Sequence, residues 1–288
     1  MRDLAFDFKQ LTDRNRDGSF ATQANRQRML SLFADQLFER GFKKLKAHNM
    51  KGRHVDALVK CWKQEGISDA TMKNRMSVLR WWAQKVGRQS IVARDNAVYG
   101  IGNRVYVTNV SKAMDLDRTK LASIPSQYVQ YSLELEALFG LRREASIKFQ
   151  VDYADKGDHL LLKPSWNKGG KEIIIPIKNE QQRELLDNIK AFVGRGSLIP
   201  ADKNYYRHLK VFERQCNNAG IHKVHGLRHQ YAQTRYLELT GCLAPAAGGK
   251  TSKELTPEEK KQDYAARLKI SEELGHMREQ VVAIYLGR

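Results

Sequence analysis

Four short segments of the chain carry side chains that can act on a phosphate group. "FGLRREAS" places two arginines just after a glycine, and "NKGGKEIIIPI" places two lysines on a tight turn. "VHGLRHQYA" holds two histidines and an arginine, and "LGHMREQVVAIY" holds a histidine followed nine residues later by a tyrosine. The residues concerned are Arg142, Arg143, Lys168, Lys171, His225, Arg228, His229, His276 and Tyr285.

Each of these residues also has an ordinary structural role when it is taken alone. An arginine at a helix end complements the helix dipole, and a lysine in a hairpin turn is commonly a solvated surface residue. The apolar residues beside Tyr285 can form the buried face of a short helix. The combination therefore carries more information than any single residue.

Taken together, the residue types describe one kind of chemistry. Two arginines can hold a phosphate in bidentate fashion, and a histidine can donate a hydrogen bond or move a proton. A lysine can protonate an oxygen leaving group, and a tyrosine can serve as a covalent nucleophile. The sequence shows no carboxylate cluster for two-metal phosphoryl transfer and no GxxxxGK[ST] loop for ATP. We therefore expect transfer through a phosphotyrosyl intermediate, with no metal and no cofactor.

The charge of the chain indicates a polyanionic partner. There are 50 Lys and Arg residues against 32 Asp and Glu residues, a formal net charge of +18. The excess is +11 in residues 1–110 and +7 in residues 111–288. A field of that sign attracts nucleic acid, although anionic membrane surfaces and heparin-like polymers fit it too. Because both parts are basic, both are expected to touch the same polyanion.

Cysteine usage and apolar patterning bear on the compartment. Cys61, Cys216 and Cys242 form no CxxC or Cys/His cluster, so neither a disulfide framework nor a zinc site is expected. No apolar run approaches the roughly 20 residues of a membrane span, and the N-terminal "MRDLAFDFKQ" lacks the apolar core of a signal peptide. We expect a cytoplasmic, nucleoid-associated protein without membrane contact.

The first 110 residues are predicted to form a helical domain. "ATQANRQRMLSLFADQLFERGF" and "HVDALVKCWKQEG" carry apolar residues at helical spacing, and the second ends on Gly66, a C-cap signal. "SDATMKNRMSVLRWWAQKVG" presents one apolar and one basic face. We predict that the basic face contacts nucleic-acid phosphates through Lys73, Arg75, Arg80 and Lys85.

The second part of the chain mixes helices and strands. Turn formers fill residues 88–125, so we expect a linker at 111–125 and a second domain over 126–288. In that domain the helix "PSQYVQYSLELEALFG" precedes three predicted strands, "IKFQVDY", "HLLLKPSW" and "KEIIIPI", and further helices follow. The expected fold class is α+β, mainly α with a small antiparallel β-sheet.

The order of the chemical residues resembles that of the tyrosine recombinases, the phage-type integrases. "FGLRRE", "HGLRHQYA" and "LGH" with its later tyrosine are similar to that family's boxes, and "NKGGKEIIIPI" is similar to its lysine hairpin. The resemblance implies an N-terminal helical core-binding domain and a C-terminal catalytic domain that clamp DNA between them. It also implies these catalytic residues: Arg142, Lys168 (with Lys171 as its rival), His225, Arg228, His276 and Tyr285.

The same resemblance implies an activity. It is site-specific strand exchange on double-stranded DNA, for integration or excision of a mobile element. Tyr285 would attack the scissile phosphate to give a 3′-phosphotyrosyl link, with His225 as an acceptor of its proton and Lys168 as the donor to the leaving oxygen. Religation then needs no ATP. A homo-oligomer, a tetramer on two DNA sites, is expected, together with accessory DNA-bending or directionality proteins.

Three features depart from the family's pattern. The family usually has an acidic residue three positions after the first arginine, where this chain has Ala145, with Glu144 one position earlier. The stretch between Arg228 and His276 is longer than usual, with residues 241–262 as the expected insertion. The sequence given ends three residues after Tyr285, so we expect no regulation through a tail and subunit contacts through other elements.

Three alternatives remain open at the level of sequence. A type IB topoisomerase uses similar chemistry to relax supercoils without fixed sites, but the box sequences favour a recombinase. A DNA-binding regulator with a decayed active site is disfavoured because every catalytic position is filled. The sequence contains no RNP1-like or GXXG signature, so an RNA-binding protein lacks support.

Overall fold

Helices account for most of the regular backbone. The computed structural model describes residues 3–276 and 278–288, and the chain divides into a first unit, Met1–Val105, and a second unit, Tyr106–Arg288. The helices of the first unit are α1 (Asp3–Arg14), α2 (Phe20–Glu39), α3 (Gly52–Gln64) and α4 (Asp69–Lys85). Those of the second unit are α5 (Arg118–Ala122), α6 (Gln127–Phe139), α7 (Arg143–Ile147), α8 (Val151–Ala154), α9 (Glu180–Val193), α10 (Tyr205–Asn218), α11 (His225–Thr240), α12 (Pro257–Glu273) and α13 (Glu279–Leu286).

Local signals start the helices of the first unit. Ser19 and Ser68 adopt extended backbone before α2 and α4, and each hydroxyl accepts a hydrogen bond from the backbone NH three residues later. Such N-caps satisfy one of the donors that a helix start leaves unpaired. The helices predicted from apolar spacing are present, and α1 adds one that the sequence patterns did not single out.

Aromatic side chains form the centre of the first unit. Phe33 packs on Trp62 with ring centroids 5.2 Å apart, and Phe8 meets Trp82 edge-on at 6.1 Å. All four side chains are buried. Contacts of this kind join α1, α2, α3 and α4, so the first unit has a core of its own.

The sheet of the second unit has two strands in the described residues. Strands β1 (His159–Leu162) and β2 (Ile173–Pro176) pair antiparallel, with Leu160 opposite Ile175. This confirms the predicted fold class of mainly α with a small antiparallel sheet. Among the described residues, no helix combines the length and the apolar character that a membrane crossing needs.

One predicted strand is wrong. The segment "IKFQVDY" ends α7 and continues into α8, so it adds no strand to the β1–β2 pair. Val151 and Ala154 stand three residues apart, and both are buried in the same core. That spacing puts two apolar residues on one side of a helical turn, and the segment is too short for periodicity to separate helix from strand.

The expected linker and insertion both contain ordered structure. Residues 111–125 include α5, and Leu121 and Ile124 are buried in a core that α6 and α10 share. Within residues 241–262, a 3-10 turn over Pro245–Ala247 precedes the start of α12, where Thr256 forms a capping box.

A buried histidine in the second unit makes a prediction about stability. His208 on α10 is fully buried, and neither ring nitrogen has a hydrogen-bond partner among the described residues. Burial, and the charge of Lys203, lower its pKa. The unfolded chain takes up a proton as pH falls through about 6.5 while the folded chain does not, so stability is lost below that pH.

His208→Leu removes both the unpaired nitrogens and this proton linkage. We expect the variant to be about 1 kcal/mol more stable than the parent at pH 7.5, with a larger difference at pH 5.5. Thermal and urea unfolding at the two pH values measure it. His222→Leu, at an exposed position, is the control, and an unchanged pH dependence in His208→Leu would contradict the account.

Candidate active site

Tyr285 lies on α13 with its hydroxyl inside a cluster of cationic side chains. The side chain is 5% exposed. Its hydroxyl is 3.3 Å from Arg228 Nε, which donates to it, and 3.3 Å from His276 Nε2. The Arg228 guanidinium also lies 5.7 Å from the centre of the tyrosine ring. The tyrosine therefore belongs to a polar site and not only to an apolar helix face.

Arg228 is buried and is held by backbone carbonyls from two other segments. It projects from the first turn of α11, where 3% of it is exposed. Its Nη1 donates to the Gly140 carbonyl, and its Nη2 donates to the Leu274 carbonyl at 2.5 Å. These carbonyls stand two residues before Arg142 and two residues before His276. The orientation of Arg228 and the placement of those two residues are thus set together.

Arg142 occupies the backbone step between α6 and α7. It is the N-cap residue of α7, and its Nη2 lies 3.4 Å from His276 Nε2. The Nη1 atom is buried without a hydrogen-bond partner among the described residues. Gly275, at φ 66°, lets the His276 loop approach closely, because a side chain there would collide with Ile173.

The two arginines repel each other and lack a carboxylate partner among the described residues. Burial first, and then the charge of Arg228, lower the pKa of Arg142 to about 10. The nearby carboxyl of Glu136 on α6 is buried and accepts from Ser146 Oγ at 3.1 Å. Burial raises the pKa of Glu136 to about 8, so at neutral pH it is mostly uncharged. The cluster is therefore an uncompensated positive site, which an anion would stabilise.

Three histidines surround the tyrosine, and burial and nearby charged groups lower the pKa of each of them. Burial, and then Arg228 and Arg142, lower the pKa of His276 to about 4. The ring of His229 lies 4.7 Å from the Tyr285 ring, and burial lowers its pKa to about 4. His225 is exposed, its ring lies 5.9 Å from the tyrosine ring, and desolvation and the two arginines lower its pKa as well. At neutral pH these rings are expected to be uncharged.

The two candidate lysines share one surface segment. Both lie on the exposed connection between β1 and β2. Lys168 is close enough to His276 for its charge to contribute to the lowered pKa of that histidine. Lys171 is not among the main charges that lower that pKa. Lys168 as the lysine of the site stays a prediction, with Lys171 as its rival.

Side chains of α11 and α12 anchor the helix that carries Tyr285. Gln233 Nε2 donates to the Tyr285 carbonyl at 3.0 Å, and Arg267 Nη1 donates to the Gly287 carbonyl at 2.9 Å. The Arg288 backbone NH donates to Asn109 Oδ1 at 2.7 Å. These bonds fix the start of the tyrosine side chain within the same unit as the arginines.

The four basic residues predicted to bind DNA make contacts inside the first unit. Arg80 donates to the Ala93 carbonyl and to Asn96 Oδ1. Arg75 lies 5.3 Å over the Trp62 ring and 3.7 Å from Glu65, with only 12% of its side chain exposed. Two exposed contacts complete the set, Lys73 to Asn103 at 3.1 Å and Lys85 to Asp17 at 3.6 Å. DNA contact by this face stays a prediction, and Arg75 and Arg80 have structural roles.

Sequence reasoning placed five residues that the fold brings together, and it missed several partners. Arg142, His225, Arg228, His276 and Tyr285 meet in one place. It did not assign His229, although its position directly after Arg228 was a usable signal. It could not identify the carbonyls of Gly140 and Leu274, because backbone groups leave no trace in residue types.

The departures noted in the sequence have visible counterparts. Ala145 is fully buried, and Glu144 pairs with Lys148 at 2.5 Å on the exposed side of α7. The buried carboxyl beneath α7 comes instead from Glu136. Among the described residues, no group of three or more His, Cys, Asp or Glu side chains is arranged to hold a metal ion.

Comparisons with known proteins bear on the N-terminal sequence and on the fold. Residues 1–92 match the family model "Phage integrase, N-terminal". No curated protein sequence matches the chain.

Solved structures resemble nearly the whole chain. A lambda integrase dimer bound to a COC′ core site shares 17% identity at a TM-score of 0.62, covering 97% of this chain and 78% of that one. The XerH site-specific recombinase bound to difH shares 16% identity at a TM-score of 0.57, covering 98% of this chain and 80% of that one. The Tn1549 transposon integrase with circular intermediate DNA shares 13% identity at a TM-score of 0.57, covering 100% of this chain and 96% of that one.

Because these sequence identities are low, the solved structures show only a likeness of fold. The match of residues 1–92 is, by contrast, a match of sequence. The resemblance predicted from the boxes is confirmed by both. By the sequence of residues 1–92 and by its overall fold, the chain resembles the phage integrases and the site-specific recombinases of these solved structures.

Proposed function

We propose that the protein is a site-specific DNA recombinase that cleaves and rejoins strands through a 3′-phosphotyrosyl intermediate, for integration or excision of a mobile element. The observation that carries the proposal is the uncompensated pair Arg142 and Arg228 beside the Tyr285 hydroxyl. A phosphodiester supplies the negative charge that this pair lacks. The filled and mutually contacting site disfavours a decayed regulator.

Tyr285 is the nucleophile in this proposal. Its oxygen attacks the scissile phosphorus while the bond from phosphorus to the 5′ oxygen breaks, and the protein keeps the 3′ phosphate as an ester. The His276 and His225 rings lie 5.8 and 5.9 Å from the tyrosine ring, but among the described residues only His276 Nε2, at 3.3 Å, is hydrogen-bonded to the tyrosine oxygen as a histidine partner. We therefore assign the acceptance of the tyrosine proton to His276 and a hydrogen bond to the phosphate to His225.

The arginines stabilise the charge that develops on the non-bridging oxygens. The Arg228 guanidinium is fixed by backbone carbonyls and by burial before any substrate arrives, and Arg142 Nη2 lies against His276 Nε2. Fixed donors of this kind need no reorganisation during the reaction, which is often the largest single contribution to catalysis. An arriving phosphate would also raise the pKa of His276 towards neutrality and make it a better base.

Lys168 donates the proton that the leaving 5′ oxygen takes up. It lies on the exposed connection between β1 and β2, and its positive charge contributes to the lowered pKa of His276. A lysine on an exposed turn can approach the leaving oxygen without entering the buried arginine cluster. The reverse reaction, in which a 5′ hydroxyl attacks the phosphotyrosyl bond, restores a phosphodiester without ATP.

DNA and a second copy of the chain are the partners of this reaction. The lambda integrase, XerH and Tn1549 structures contain DNA, and the lambda integrase structure is a dimer. The net charge of +18 suits such a polyanion. A tetramer on two DNA sites and accessory DNA-bending proteins belong to the proposal by the same likeness.

The first test removes the nucleophilic oxygen. Tyr285→Phe keeps the ring that packs against His229 but lacks the hydroxyl, so covalent protein–DNA adducts should disappear while DNA binding stays close to that of the parent. A nicked suicide substrate drawn from DNA flanking the gene, followed by denaturing gels, measures it. Tyr264→Phe, on an exposed tyrosine, is the control, and adducts formed by Tyr285→Phe would contradict the assignment.

A second test follows the protonation of His276. Because its pKa is lowered to about 4 in the free protein, its ring should stay neutral from pH 7 down to pH 5. Binding of a phosphodiester should raise that pKa by offsetting the two arginines. Ring signals of labelled histidine in NMR titrations give both values, with exposed His222 as an internal reference. A His276 that titrates near 6.5 in the free protein would refute the electrostatic account.

A third test separates Lys168 from Lys171. Loss of a general acid should slow cleavage roughly 100-fold or more. A substrate with sulfur at the 5′ bridging position has a leaving group that needs no proton. We therefore expect Lys168→Ala to be slow on the oxygen substrate and near normal on the sulfur substrate.

Lys171→Ala serves as the matched control, since it lies on the same connection. It should cleave both substrates at rates close to those of the parent protein. The reverse result, with sulfur rescuing Lys171→Ala alone, would reassign the proton donor to Lys171.

A further inference from the structure

A buried carboxylate lies directly behind the arginine cluster. Glu273 is the last residue of α12, and its side chain is 4% exposed. Arg235 Nε donates to its two oxygens at 3.0 and 3.2 Å, and the Tyr231 hydroxyl donates to it at 2.8 Å. None of these three residues contacts the tyrosine nucleophile in the described structure.

Tyr231 connects this carboxylate to the segment that carries Arg142. Its ring lies so close to Gly140 that a Cβ atom there would stand 2.5 Å from the ring. Tyr231 follows Arg228 by three residues on α11, so both side chains leave the same face of that helix. The ring is therefore a spacer between Gly140 on one side and Glu273 on the other.

The neighbours of Tyr231 are the acceptors of Arg228. The guanidinium donates to the carbonyl of Gly140, which Tyr231 packs against, and to the carbonyl of Leu274, the residue after Glu273. A shift of Glu273 would move the Leu274 carbonyl and, two residues further on, His276. The carboxylate thus acts on the site indirectly, through the backbone at Leu274 and through the Tyr231 ring.

Stability alone is a poor explanation for this network. Moving two charges out of water costs much of what their attraction returns, so a well-packed apolar pair of similar volume is commonly as stable as a buried ion pair. Charged partners instead fix the positions of the side chains, because the carboxylate satisfies its hydrogen bonds only in one arrangement. The site that gains from a fixed arrangement is the one in front of the network.

We propose that Glu273, through Tyr231 and Arg235, is a positioning residue that sets the Leu274 carbonyl and thereby aims Arg228 and His276 at the phosphate. The proposal rests on the proposed strand-cleavage function. The outer end of the network is tied down as well, because Arg235 Nη1 donates to Glu238 at 2.9 Å and Lys178 donates to Glu238 at 2.8 Å.

The decisive variant replaces the ion pair by an apolar pair. Arg235→Leu/Glu273→Leu leaves no buried charge behind and unpairs only the Tyr231 hydroxyl, so its thermal stability should be slightly below that of the parent. Its adduct formation under single-turnover conditions should nevertheless fall by about 100-fold, the effect of a displacement near 1 Å at a reacting centre. Affinity for the same DNA should change little.

Single variants and a surface control complete the set. Glu273→Gln keeps the shape but leaves Arg235 unpaired, so both stability and cleavage should fall. Glu272→Gln alters the exposed neighbour and should match the parent in both. A double leucine variant that is stable and cleaves at the parental rate would overturn the proposal, since the network would then be structural only.

A readout that needs no cleavage keeps this proposal separate from the proposed function. Inorganic phosphate is titrated into each protein while the ring signals of His276 are followed by NMR. The double leucine variant should bind phosphate about tenfold more weakly than the parent, and equal binding contradicts the positioning role. If the parent binds phosphate but yields no adduct with any DNA, the cleavage function fails and the positioning role of Glu273 at an anion site stands.

Discussion

The burial of one guanidinium sets the geometry of the whole site. Arg228 carries a full charge at 3% exposure, which is tolerable only if its donors find acceptors. The acceptors are two backbone carbonyls and the tyrosine oxygen. Each comes from a different part of the chain, so satisfying Arg228 forces the ends of α6, α12 and α13 to meet at the start of α11. A local demand for hydrogen bonds thereby becomes a constraint on tertiary structure.

The same constraint explains why the site is electrostatically strained. Carbonyls satisfy donors without cancelling charge, so Arg228 and Arg142 remain a positive pair. Their repulsion and burial lower the pKa values of Arg142 and His276. Glu136, the nearby carboxyl, is itself buried deeply enough to stay mostly protonated. The free protein thus holds donors in place for an anion that it does not supply, which is the preorganisation that the proposed phosphoryl transfer would require.

Apolar spacing predicted α2, α3, α4 and α6, because these helices are amphipathic, and the resemblance of the boxes to a known family predicted that their residues meet. The strand predicted for "IKFQVDY", residues 147–153, is wrong because a short apolar run fits both periods. The contacts of Arg75 and Arg80 could not be predicted, because a basic helix face looks the same whether its charges meet solvent or neighbouring carbonyls. Glu273 gave no signal either. One acidic residue beside another in "SEEL" reads as an exposed helix end, and only packing shows which one is buried.

In the proposed reaction, the β1–β2 hairpin and the buried arginine cluster have different roles. Ile173 begins β2 and packs where Gly275 leaves room, so the strand is fixed against the loop that carries His276. Five residues earlier, Lys168 stands on the exposed connection. A donor of protons must exchange them with water between turnovers, whereas donors that stabilise charge work best away from water. In the proposed reaction, the lysine on a solvated turn and the arginines in a buried cluster meet both requirements, and the Ile173–Gly275 contact joins the hairpin to the loop that carries His276.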